Sequence, residues 1–588
     1  MFTRFFELDP RKQHLLSLIP YLKKYKRPIV IGALMVLLTN IAAVILPWIL
    51  RNAIDHLYVE ISRDILLYYS VFIIAVSLVE GLFRFLMRRI LIGVSRNIEY
   101  DLRNDLFAHL QSLSPTFYQR SATGDIMSRA TNDLSAVRMV LGPGIMYSMN
   151  TLFTALLTIG ILVSIDAGLA ILTLIPLLVV SYCVKYFGKQ IHQRFEKIQE
   201  QFAAITTLAQ ENVSGIRVVK AYNQEKAFVL RFQQANDVYL SKSLSLIRIW
   251  GMFSPLLAFL LGLSSVGLLW YGGRQVIQGS ITVGDFVAFM AYLAMLTWPT
   301  IALGWVINIF ERGSASMGRI NQILHCQPEI RDECPLPVSE LRGNVQVKNL
   351  TFSYNGVAAL KKIDFEVRSG HTLAIVGSTG SGKSTLVNLL CRLYPVPRAS
   401  IFIDGIDIND IPLQSLRKSI GYVPQETFLF SEKIGENIAF GKLDADFKLI
   451  EEASKISNVW PDIQDFPRKF ETFVGERGVT LSGGQKQRIA ISRALLINPR
   501  ILILDDALSS VDTHTEEQIL ERLSREISDR TVILISHRIS TIKMADQILV
   551  MENGEIVERG THEDLLAAEG HYANLYEKQL LKEELGVE

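Results

Sequence analysis

Six apolar segments dominate the first half of the chain, and each is long enough to cross a membrane. They span residues 29–50, 65–83, 139–165, 167–184, 249–273 and 286–310. A helix needs about 20 residues to cross about 30 Å of hydrocarbon, so each segment predicts a transmembrane helix. Asp166 alone separates the third segment from the fourth, which predicts a tight helical hairpin at that point.

The polar segments between these spans differ in length and in charge. Residues 51–64 and 274–285 are short and carry three arginines in all, whereas 84–138 and 185–248 carry eight and ten Lys or Arg residues. Positive charge collects on the cytoplasmic side of membrane proteins. We therefore expect both long segments and both termini in the cytoplasm, with residues 1–27 as a basic interfacial helix.

The two long polar segments keep a helical spacing of apolar residues, for example at Val213 and Ile216. This spacing favours transmembrane helices that continue into the cytoplasm as stalks, rather than disordered loops. Glycine-containing interruptions in each stalk predict two helical elbows, over residues 124–133 and 211–222. We expect these elbows to face a cytosolic partner domain.

A few polar and aromatic side chains in the spans are candidates for function. Glu80 lies near a predicted cytoplasmic end, which favours an interfacial carboxylate over a transport residue. The tryptophans could form interfacial belts or line a pocket for an amphiphile. Trp298, beside Pro299 in mid-helix, is the better pocket candidate. The other four are Trp48, Trp250, Trp270 and Trp305.

Residues 377–385, with the sequence GSTGSGKST, match the phosphate-binding pattern G-x-x-x-x-G-K-[ST] between a strand-like run and a helix-like run. The glycines let backbone N–H groups turn towards a phosphate chain, and the helix N-terminus adds positive partial charge. Lys383 can reach the phosphates, and the Ser384 hydroxyl can ligate Mg²⁺. A chance Gly/Ser turn is the alternative, and the strand–loop–helix context argues against it. The predicted ATP-binding loop consists of Gly377, Ser378, Thr379, Gly380, Ser381, Gly382, Lys383, Ser384 and Thr385.

The pattern around this loop is that of an α/β domain. Strands are predicted at 345–347, 372–376, 401–403, 501–504 and 532–535. The predicted fold class is therefore a polytopic α-helical membrane domain fused to an α/β P-loop ATPase domain. The membrane domain has six transmembrane helices with long cytoplasmic extensions. Its predicted bounds are 28–320, followed by a proline-containing linker at 321–342 and the nucleotide-binding domain at 343–588.

Further motifs follow the phosphate loop in the chain. Asp505 ends a predicted strand, which suits a carboxylate ligand of Mg²⁺. Residues 481–485, Leu-Ser-Gly-Gly-Gln, begin a helix-like run that could bind a second phosphate chain. Gln425 and His537 each follow a short apolar run, and Tyr354 could stack on a base.

In this order the motifs resemble the nucleotide-binding domain of an ATP-binding cassette (ABC) transporter. The segment Val474-Gly475-Glu476-Arg477-Gly478 is similar to the contact loop of exporters in that family. Six spans with two long cytoplasmic excursions, placed ahead of the cassette, resemble an exporter half-transporter of the multidrug or lipid type. The motifs that carry the resemblance are Tyr354, 377–385, Gln425, LSGGQ at 481–485, ILILDD at 501–506, SSVD at 509–512 and His537.

The resemblance implies a role for each matching residue. Ser384, Gln425 and Asp505 would serve Mg²⁺ and the attacking water. Lys383 would bind phosphates, and His537 would contact the γ-phosphate.

Other roles implied by the resemblance involve the base and a second subunit. Tyr354 would stack on adenine, and Asp512 would communicate across a dimer. Two cassettes of the family sandwich two ATP molecules head to tail, and this chain has one cassette, so a second half-transporter is implied. The residues that would close over the partner's nucleotide are Ser482, Gly483, Gly484 and Gln485.

Asp506 departs from the family pattern, which has glutamate after the metal-binding aspartate. Its side chain is one methylene shorter, so the carboxylate falls on the order of 1 Å short of the attacking water. A shift of that size can cost about a hundredfold in rate. The substitution is similar to that in the degenerate-site subunits of heterodimeric exporters. We therefore expect a low-activity site and a heterodimer, with a slowly hydrolysing homodimer as the alternative.

The predicted function is ATP-driven export of an amphipathic or hydrophobic compound, such as a drug, lipid or peptide. The hydrophobic fraction of 49% requires a membrane portion, and the net charge of +2 gives no reason to expect a nucleic-acid partner. The cytoplasmic membrane is the expected location, with the lipid bilayer as a partner. Two other hypotheses stay open: a regulatory ATP-binding subunit and a nucleotide-gated channel. The cysteines Cys183, Cys326, Cys334 and Cys391 are interpreted as reduced thiols.

Overall fold

Two units with different secondary structure make up the chain. The structure is a computed structural model and describes residues 13–59, 62–332, 340–475, 478, 480–526 and 529–584. The helical unit comprises Met1–Gln111 and Ala122–Cys326, and the α/β unit comprises Ser112–Ser121 and Gln327–Glu588. The linker predicted at 321–342 therefore begins too early, because the last long helix continues to Leu324.

Long helices form nearly all of the helical unit. Of the helices before residue 327, six are long and apolar enough to cross a membrane, which confirms the six predicted spans. These six are α2, α3, α5, α6, α8 and α9 in the following order of described helices: α1 (Ile19–Lys24), α2 (Lys26–Val59), α3 (Arg63–Ser112), α4 (Pro115–Arg120), α5 (Thr123–Ile165), α6 (Ala167–Ser214), α7 (Ile216–Ala221), α8 (Glu225–Ile277) and α9 (Val283–Leu324).

The helix boundaries follow from local chemistry. Asp166 lies between α5 and α6, and its carboxylate accepts a hydrogen bond from the Leu169 N–H at 2.6 Å, which starts the second helix of the predicted hairpin. The start of α9 has a reciprocal capping box, in which Thr282 and Asp285 bond each other's backbone N–H groups. A buried apolar cluster that includes Leu162, Leu169 and Phe289 then holds the hairpin against α9.

The helical extensions predicted beyond the spans are present, but one of the two elbows lies elsewhere. Helix α3 continues to Ser112, well beyond its apolar segment, and the short helix α7 forms the interruption predicted at 211–222. The elbow predicted at 124–133 is wrong, because those residues lie inside the continuous helix α5. The helix is interrupted just before them, at residues 112–122: Ser121 and Ala122 are extended, and Pro115 occupies the first turn of α4. Residues 112–121 of this segment group with the α/β unit.

Residues 13–24 precede the first long helix and pack on the extension of α3. The Tyr21 hydroxyl donates to Asp105 at 2.6 Å, and the Lys24 ammonium pairs with Asp101 at 2.7 Å. Part of the predicted interfacial helix, residues 1–12, lies outside the described residues. Cys334 also lies outside them, and Cys183, Cys326 and Cys391 are free thiols.

The α/β unit is built from two sheets. Its strands are β1 (Val345–Tyr354), β2 (Val357–Val367), β3 (Thr372–Gly377), β4 (Ile401–Ile403), β5 (Ile406–Asp407), β6 (Ile420–Val423), β7 (Ile501–Asp505), β8 (Thr531–Ile535), β9 (Gln547–Glu552) and β10 (Glu555–Gly560). All five predicted strands are present. The smaller sheet is antiparallel with the order β2-β1-β4-β5, and the larger has the order β10-β9-β3-β8-β7-β6.

The larger sheet sets the position of the candidate site. Strands β9, β3, β8, β7 and β6 run parallel, so their carboxyl ends lie along one edge. Helices cover the sheet, and the buried faces of its strands are apolar. The helices are α10 (Lys383–Leu390), α11 (Leu413–Ser419), α12 (Ile434–Ala439), α13 (Phe447–Ile456), α14 (Trp460–Asp465), α15 (Gly483–Leu496), α16 (Thr513–Glu526), α17 (Ile539–Ile542), α18 (His562–Ala567) and α19 (His571–Glu584).

Candidate nucleotide site

The phosphate-binding loop connects β3, which lies between β9 and β8 in the larger sheet, to α10. Two of its glycines are required by close packing. A Cβ on Gly377 would lie 2.1 Å from the Met551 carbonyl oxygen, and one on Gly382 would lie 2.7 Å from the Ala359 carbonyl oxygen. Gly382 also has a φ of +99°, which L-residues rarely adopt. The loop can therefore turn tightly over the strand end and present its backbone N–H groups at the start of α10.

Lys383 lies buried beneath this loop and bonds its backbone. The ammonium donates to the carbonyl oxygens of Gly377 at 2.9 Å and of Ser378 at 2.8 Å. Burial lowers the pKa of Lys383, although the nearby carboxylates Asp505 and Asp506 oppose this shift. A charged lysine held by neutral carbonyls is ready to take phosphate oxygens as partners, because charge-assisted hydrogen bonds are stronger.

Asp505 ends β7 and is only 2% exposed. Burial raises the pKa of its carboxyl group, and the hydrogen bond from Ser384 does not fully offset this. A carboxylate that is buried without a full set of partners, next to a hydroxyl, suits a hard divalent cation such as Mg²⁺. The residues present therefore fit the metal predicted from the sequence.

Asp506 and Gln425 lie beside Asp505 at the same edge of the sheet. The Gln425 amide nitrogen is 3.4 Å from a carboxylate oxygen of Asp506, and Gln425 itself is exposed. The Asp506 backbone has a φ of 48° and donates its N–H to the Ile535 carbonyl oxygen at 2.9 Å. This bond fixes the strand exit next to β8. His537 follows β8 and is also exposed, so the structure gathers all four polar groups at the carboxyl ends of neighbouring strands.

The predicted signature residues begin α15 and form an ordered N-terminus. Ser482 and Gln485 make a capping box, with bonds of 3.2 Å and 3.0 Å between each side chain and the other's N–H. The Gln485 amide also donates to Asp462 at 2.9 Å, and Arg488 donates to the same carboxylate at 2.8 Å. A Cβ on Gly484 would lie 2.8 Å from the Ser510 carbonyl oxygen, so glycine is needed there.

Two hydrogen bonds join this helix to the turn that follows Asp506. The Gln487 amide donates to the Ser509 hydroxyl at 2.9 Å and accepts from the Ser510 N–H at 2.9 Å. Arg538, next to His537, donates to the carbonyl oxygens of Val511 at 2.8 Å and of Ser509 at 3.2 Å. The turn is therefore held from both sides.

Asp512 closes that turn at the start of α16. Its carboxylate accepts from the Thr515 N–H at 2.9 Å, and hydrogen bonds from the backbone and side chain of Thr515 lower its pKa. It is exposed, which leaves it accessible to another chain.

Tyr354 ends β1 and packs edge-on against two aromatic rings. Its ring centre is 5.0 Å from that of Phe352 and 5.2 Å from that of Tyr394. The Tyr394 hydroxyl accepts a hydrogen bond from Gln119 of α4 at 2.7 Å. The half-buried Tyr354 is thus held in place by an aromatic cluster that includes a contact from the 112–121 segment.

One group of predicted residues is not brought into contact with the phosphate loop. Among the described residues, no hydrogen bond or ion pair joins Ser482–Gln485 to residues 377–385. In the predicted contact loop, Glu476 and Arg477 lie outside the described residues. Sequence reasoning missed Asp462, Gln487 and Arg538, and no local pattern marks them, because their partners lie far away in the chain.

Known proteins share this arrangement along nearly the whole chain. The family described as "ABC transporter transmembrane region" matches residues 29–300, and the family described as "ABC transporter" matches residues 360–509. YheI of Bacillus subtilis (strain 168), named a probable multidrug resistance ABC transporter ATP-binding/permease protein, is 39% identical over 95% of this chain and 97% of its own length. This chain belongs to the ABC exporters.

Other relatives agree with this membership and carry different names. An ATP-dependent lipid A-core flippase of Syntrophus aciditrophicus (strain SB) is 36% identical over 92% of this chain and 90% of its own length. The multidrug resistance-like protein MdlA of Escherichia coli (strain K12) is 37% identical over 87% of each chain. A solved structure of a bacterial Atm1-family ABC exporter with ATP bound superimposes with a TM-score of 0.77, at 29% identity over 94% of this chain and 98% of that chain.

The protein is therefore an ABC exporter half-transporter and a multi-pass membrane protein, with a membrane region ahead of a single cassette. The fold class and the family predicted from the sequence are confirmed. The bacterial relatives and the six spans indicate the plasma membrane.

The helical unit of this half-transporter contains a cavity of about 310 Å³. Trp298, the tryptophan predicted to line a pocket, lies in its wall. Two arginines of α3, Arg84 and Arg88, also line it, although the sequence assigned both to a cytoplasmic segment. The other lining residues are Thr39, Asn40, Ala43, Met87, Met146, Tyr147, Asn150, Thr154, Met295 and Pro299.

Proposed function

We propose that this chain is one half of a heterodimeric ATP-driven exporter whose own hydrolytic site has low activity. Its partner would be a second half-transporter with glutamate at the position of Asp506. The complex would export amphipathic or hydrophobic compounds across the cytoplasmic membrane by alternating access, with the cassettes in the cytoplasm. The adjacent pair Asp505 and Asp506, beside an intact signature helix, is the observation that carries this proposal.

Binding of ATP would use the residues gathered at the carboxyl edge of the sheet. Tyr354 would stack on the base, and the loop N–H groups with Lys383 would hold the phosphates. Ser384, Gln425 and Asp505 would hold Mg²⁺, which supplies charge neutralisation at the phosphate oxygens. His537 would contact the γ-phosphate, and no covalent intermediate with the protein is needed.

The low activity proposed for this site follows from the length of one side chain. A general base must lie within hydrogen-bond reach of the water that it activates. Asp506 is one methylene shorter than glutamate, and its closest described side-chain contact, Gln425, is already at 3.4 Å. With the Asp506 backbone pinned to Ile535, the carboxylate cannot advance without moving the strand exit.

The signature helix would act on the nucleotide of the partner. Its N-terminus is pre-organised by the capping box and by Asp462, so its N–H dipoles are fixed before any nucleotide arrives. Closure of the two cassettes would then be passed through the elbows, residues 112–121 and α7, to the spans.

The test is the Mg-ATPase rate of the purified full chain in lipid, alone and beside the Asp506→Glu variant. We expect near-inactivity with retained binding of a fluorescent ATP analogue, and a clear gain in the variant. A native turnover above about 1 s⁻¹, in the usual enzyme range, would make the chain a self-sufficient homodimer. If Asp506→Glu also leaves the chain inactive alone, but the native chain stimulates a partner, a purely regulatory ATP-binding subunit is favoured.

A further inference from the structure

The cavity in the helical unit has a polar side that the membrane position makes costly. Asn40 is 4% exposed; its amide donates to the Val36 carbonyl oxygen at 2.8 Å and to Asn150 at 3.0 Å. The Thr154 hydroxyl donates to the oxygen of the same amide. Polar groups inside membrane helices are expensive, and they usually mark a path or a site.

This network leaves an amide donor on a residue that lines the cavity. Asn150 accepts from Asn40 through its oxygen, and among the described residues its amide nitrogen has no hydrogen-bond partner. The Asn150 nitrogen is also not enclosed by protein, since the residue is only half-buried and lines the cavity. An N–H₂ group in such a place suits an acceptor on a bound molecule.

The charge on the cavity wall is positive and only partly neutralised. Arg84 forms an ion pair with Glu80, one turn earlier on α3. Arg88, one turn later, has no ion-pair or hydrogen-bond partner among the described residues, and the lining contains no Asp or Glu. Arg88 is exposed and also lines an open groove along α3, where snorkelling to lipid headgroups would account for it. It is in addition part of the cavity wall, with Asn40 and Trp298.

Part of the cavity lining is apolar. Three methionines, Met87, Met146 and Met295, line it together with Trp298 and Pro299. Methionine side chains adapt to irregular apolar shapes, and the tryptophan offers a large flat face. A volume of about 310 Å³ is at the lower end for ligand pockets, enough for a headgroup and the first part of a tail.

We propose that this cavity binds the acidic headgroup of an amphiphile, a phosphate, sulfate or carboxylate attached to a hydrocarbon body. Arg88 and the Asn150 amide hold the anion, and the methionines with Trp298 hold the adjoining apolar part. The inference rests on the proposed function, since it takes the cavity to be where the exported compound first binds. Membrane phospholipids and soluble acidic amphiphiles share this chemistry.

Binding of three probes with the same tail tests the proposal. The full chain is placed in nanodiscs of zwitterionic lipid and titrated with dodecyl phosphate, dodecylphosphocholine or dodecyltrimethylammonium. Tryptophan fluorescence reports binding, and the Trp298→Phe variant identifies the signal that comes from the cavity. We expect dodecyl phosphate to bind at least about tenfold more tightly than the other two, since it alone has a net negative charge and no quaternary ammonium that would be repelled by Arg88.

Arg88→Gln should weaken dodecyl phosphate binding about tenfold, and Arg88→Lys should restore most of it. Arg89→Gln is the matched control, because Arg89 is the next residue on α3 and lies outside the cavity lining. Equal losses in Arg88→Gln and Arg89→Gln, or equally tight binding of the cationic probe, would overturn the proposal. Anionic lipid in the nanodisc that competes with the probe points to a phospholipid ligand, and absence of competition points to a soluble one.

The same samples separate this inference from the proposed function. Binding of a fluorescent ATP analogue is measured beside each titration, and it also shows that each variant is folded. Normal ATP binding and partner-dependent transport without a preference for dodecyl phosphate would reject the anion site alone. A native chain that binds dodecyl phosphate but not ATP would reject the proposed function alone.

Discussion

Two regions of the α/β unit differ in how firmly their side chains are held. They are the signature end, residues Ser482–Gln485 at the start of α15, and the catalytic end, Asp505 and Asp506 at the end of β7. At the signature end, the side chains of Ser482 and Gln485 are held by reciprocal bonds, and Asp462 ties Gln485 and Arg488 together. At the catalytic end, the Asp506 side chain has one hydrogen bond among the described residues, a long one of 3.4 Å from the exposed Gln425 amide. The difference supports the proposal that this chain completes a neighbour's nucleotide site and hydrolyses ATP slowly at its own.

The largest effect should come from removing the lysine of the phosphate loop. Lys383→Ala eliminates the charge buried beneath the loop, so we expect affinity for a fluorescent ATP analogue to fall by about a hundredfold or more. Lys418→Ala, in the last turn of α11, is the control and should bind normally. If Lys383→Ala binds ATP as tightly as the native chain, Lys383 does not hold the phosphates of ATP.

A substitution at the signature end should slow ATP hydrolysis at the partner's site without weakening ATP binding by this chain. Ser482→Arg removes the cap of α15 and adds bulk at the helix N-terminus. We expect the Mg-ATPase rate of the assembled heterodimer to fall by about a hundredfold, as for the loss of a pre-organised donor. ATP binding to the isolated variant should be unchanged. If the heterodimer retains full turnover, the signature end does not contribute to the partner's nucleotide site.

Replacing Asp506 with the longer glutamate should make the catalytic end of this chain more active. Asp506→Glu places the carboxylate nearer the attacking water, and we expect the Mg-ATPase rate of the chain alone to rise by about ten- to a hundredfold. Asp506→Asn serves as the control, since it keeps the length of aspartate and removes the charge. An equal rise in both variants would show that charge repulsion at Asp505, and not reach, limits the native site.

A smaller change is expected when the support of the signature helix is weakened. Asp462→Asn removes the charge that Gln485 and Arg488 share, a loss of about 1 kcal/mol and therefore about fivefold in heterodimer turnover. Asp465→Asn, at the end of the same helix α14, is the matched control. If both variants behave alike, Asp462 acts only on the stability of the fold.

The smallest effect concerns pH. Because burial raises the pKa of Asp505, the unfolded chain loses this proton first. Without Mg²⁺, the free energy of unfolding should therefore fall as pH rises from about 4, the pKa of Asp505 in the unfolded chain, to its raised pKa in the folded chain. Thermal unfolding midpoints across this range should show the fall in the native chain and lack it in Asp505→Asn. Added Mg²⁺ should reduce it, and a midpoint that rises in both chains alike would contradict this account.

Local patterns accounted for most of the fold. The six spans and the loop around Lys383 could be predicted because each depends on neighbours in the sequence. The elbow predicted at 124–133 is misplaced for a physical reason: the helix continues through Gly124, whereas Pro115 marks the start of α4. Hydropathy also could not show that Arg88 lines a cavity, since that depends on the packing of other helices.

The side chains that organise the site were the hardest to predict. Asp462, Gln487 and Arg538 act on partners that are distant in sequence, and their own neighbourhoods carry no distinctive pattern. The motif residues themselves were found, because each lies at the end of a strand or the start of a helix, where chemistry and local structure coincide.

The hydrogen bond from Gln119 to Tyr394 bears on how fragments of this protein behave. Tyr394 packs against Tyr354, so the wall of the proposed adenine pocket is braced by a helix encoded more than two hundred positions upstream. A cassette expressed on its own from residue 327 would lose that brace, along with the bonds from Ser114 to Glu329 and from Arg120 to Asn355. Nucleotide affinities from such a truncated piece should not be transferred to the intact transporter, whereas a tethered 112–121 peptide should restore them.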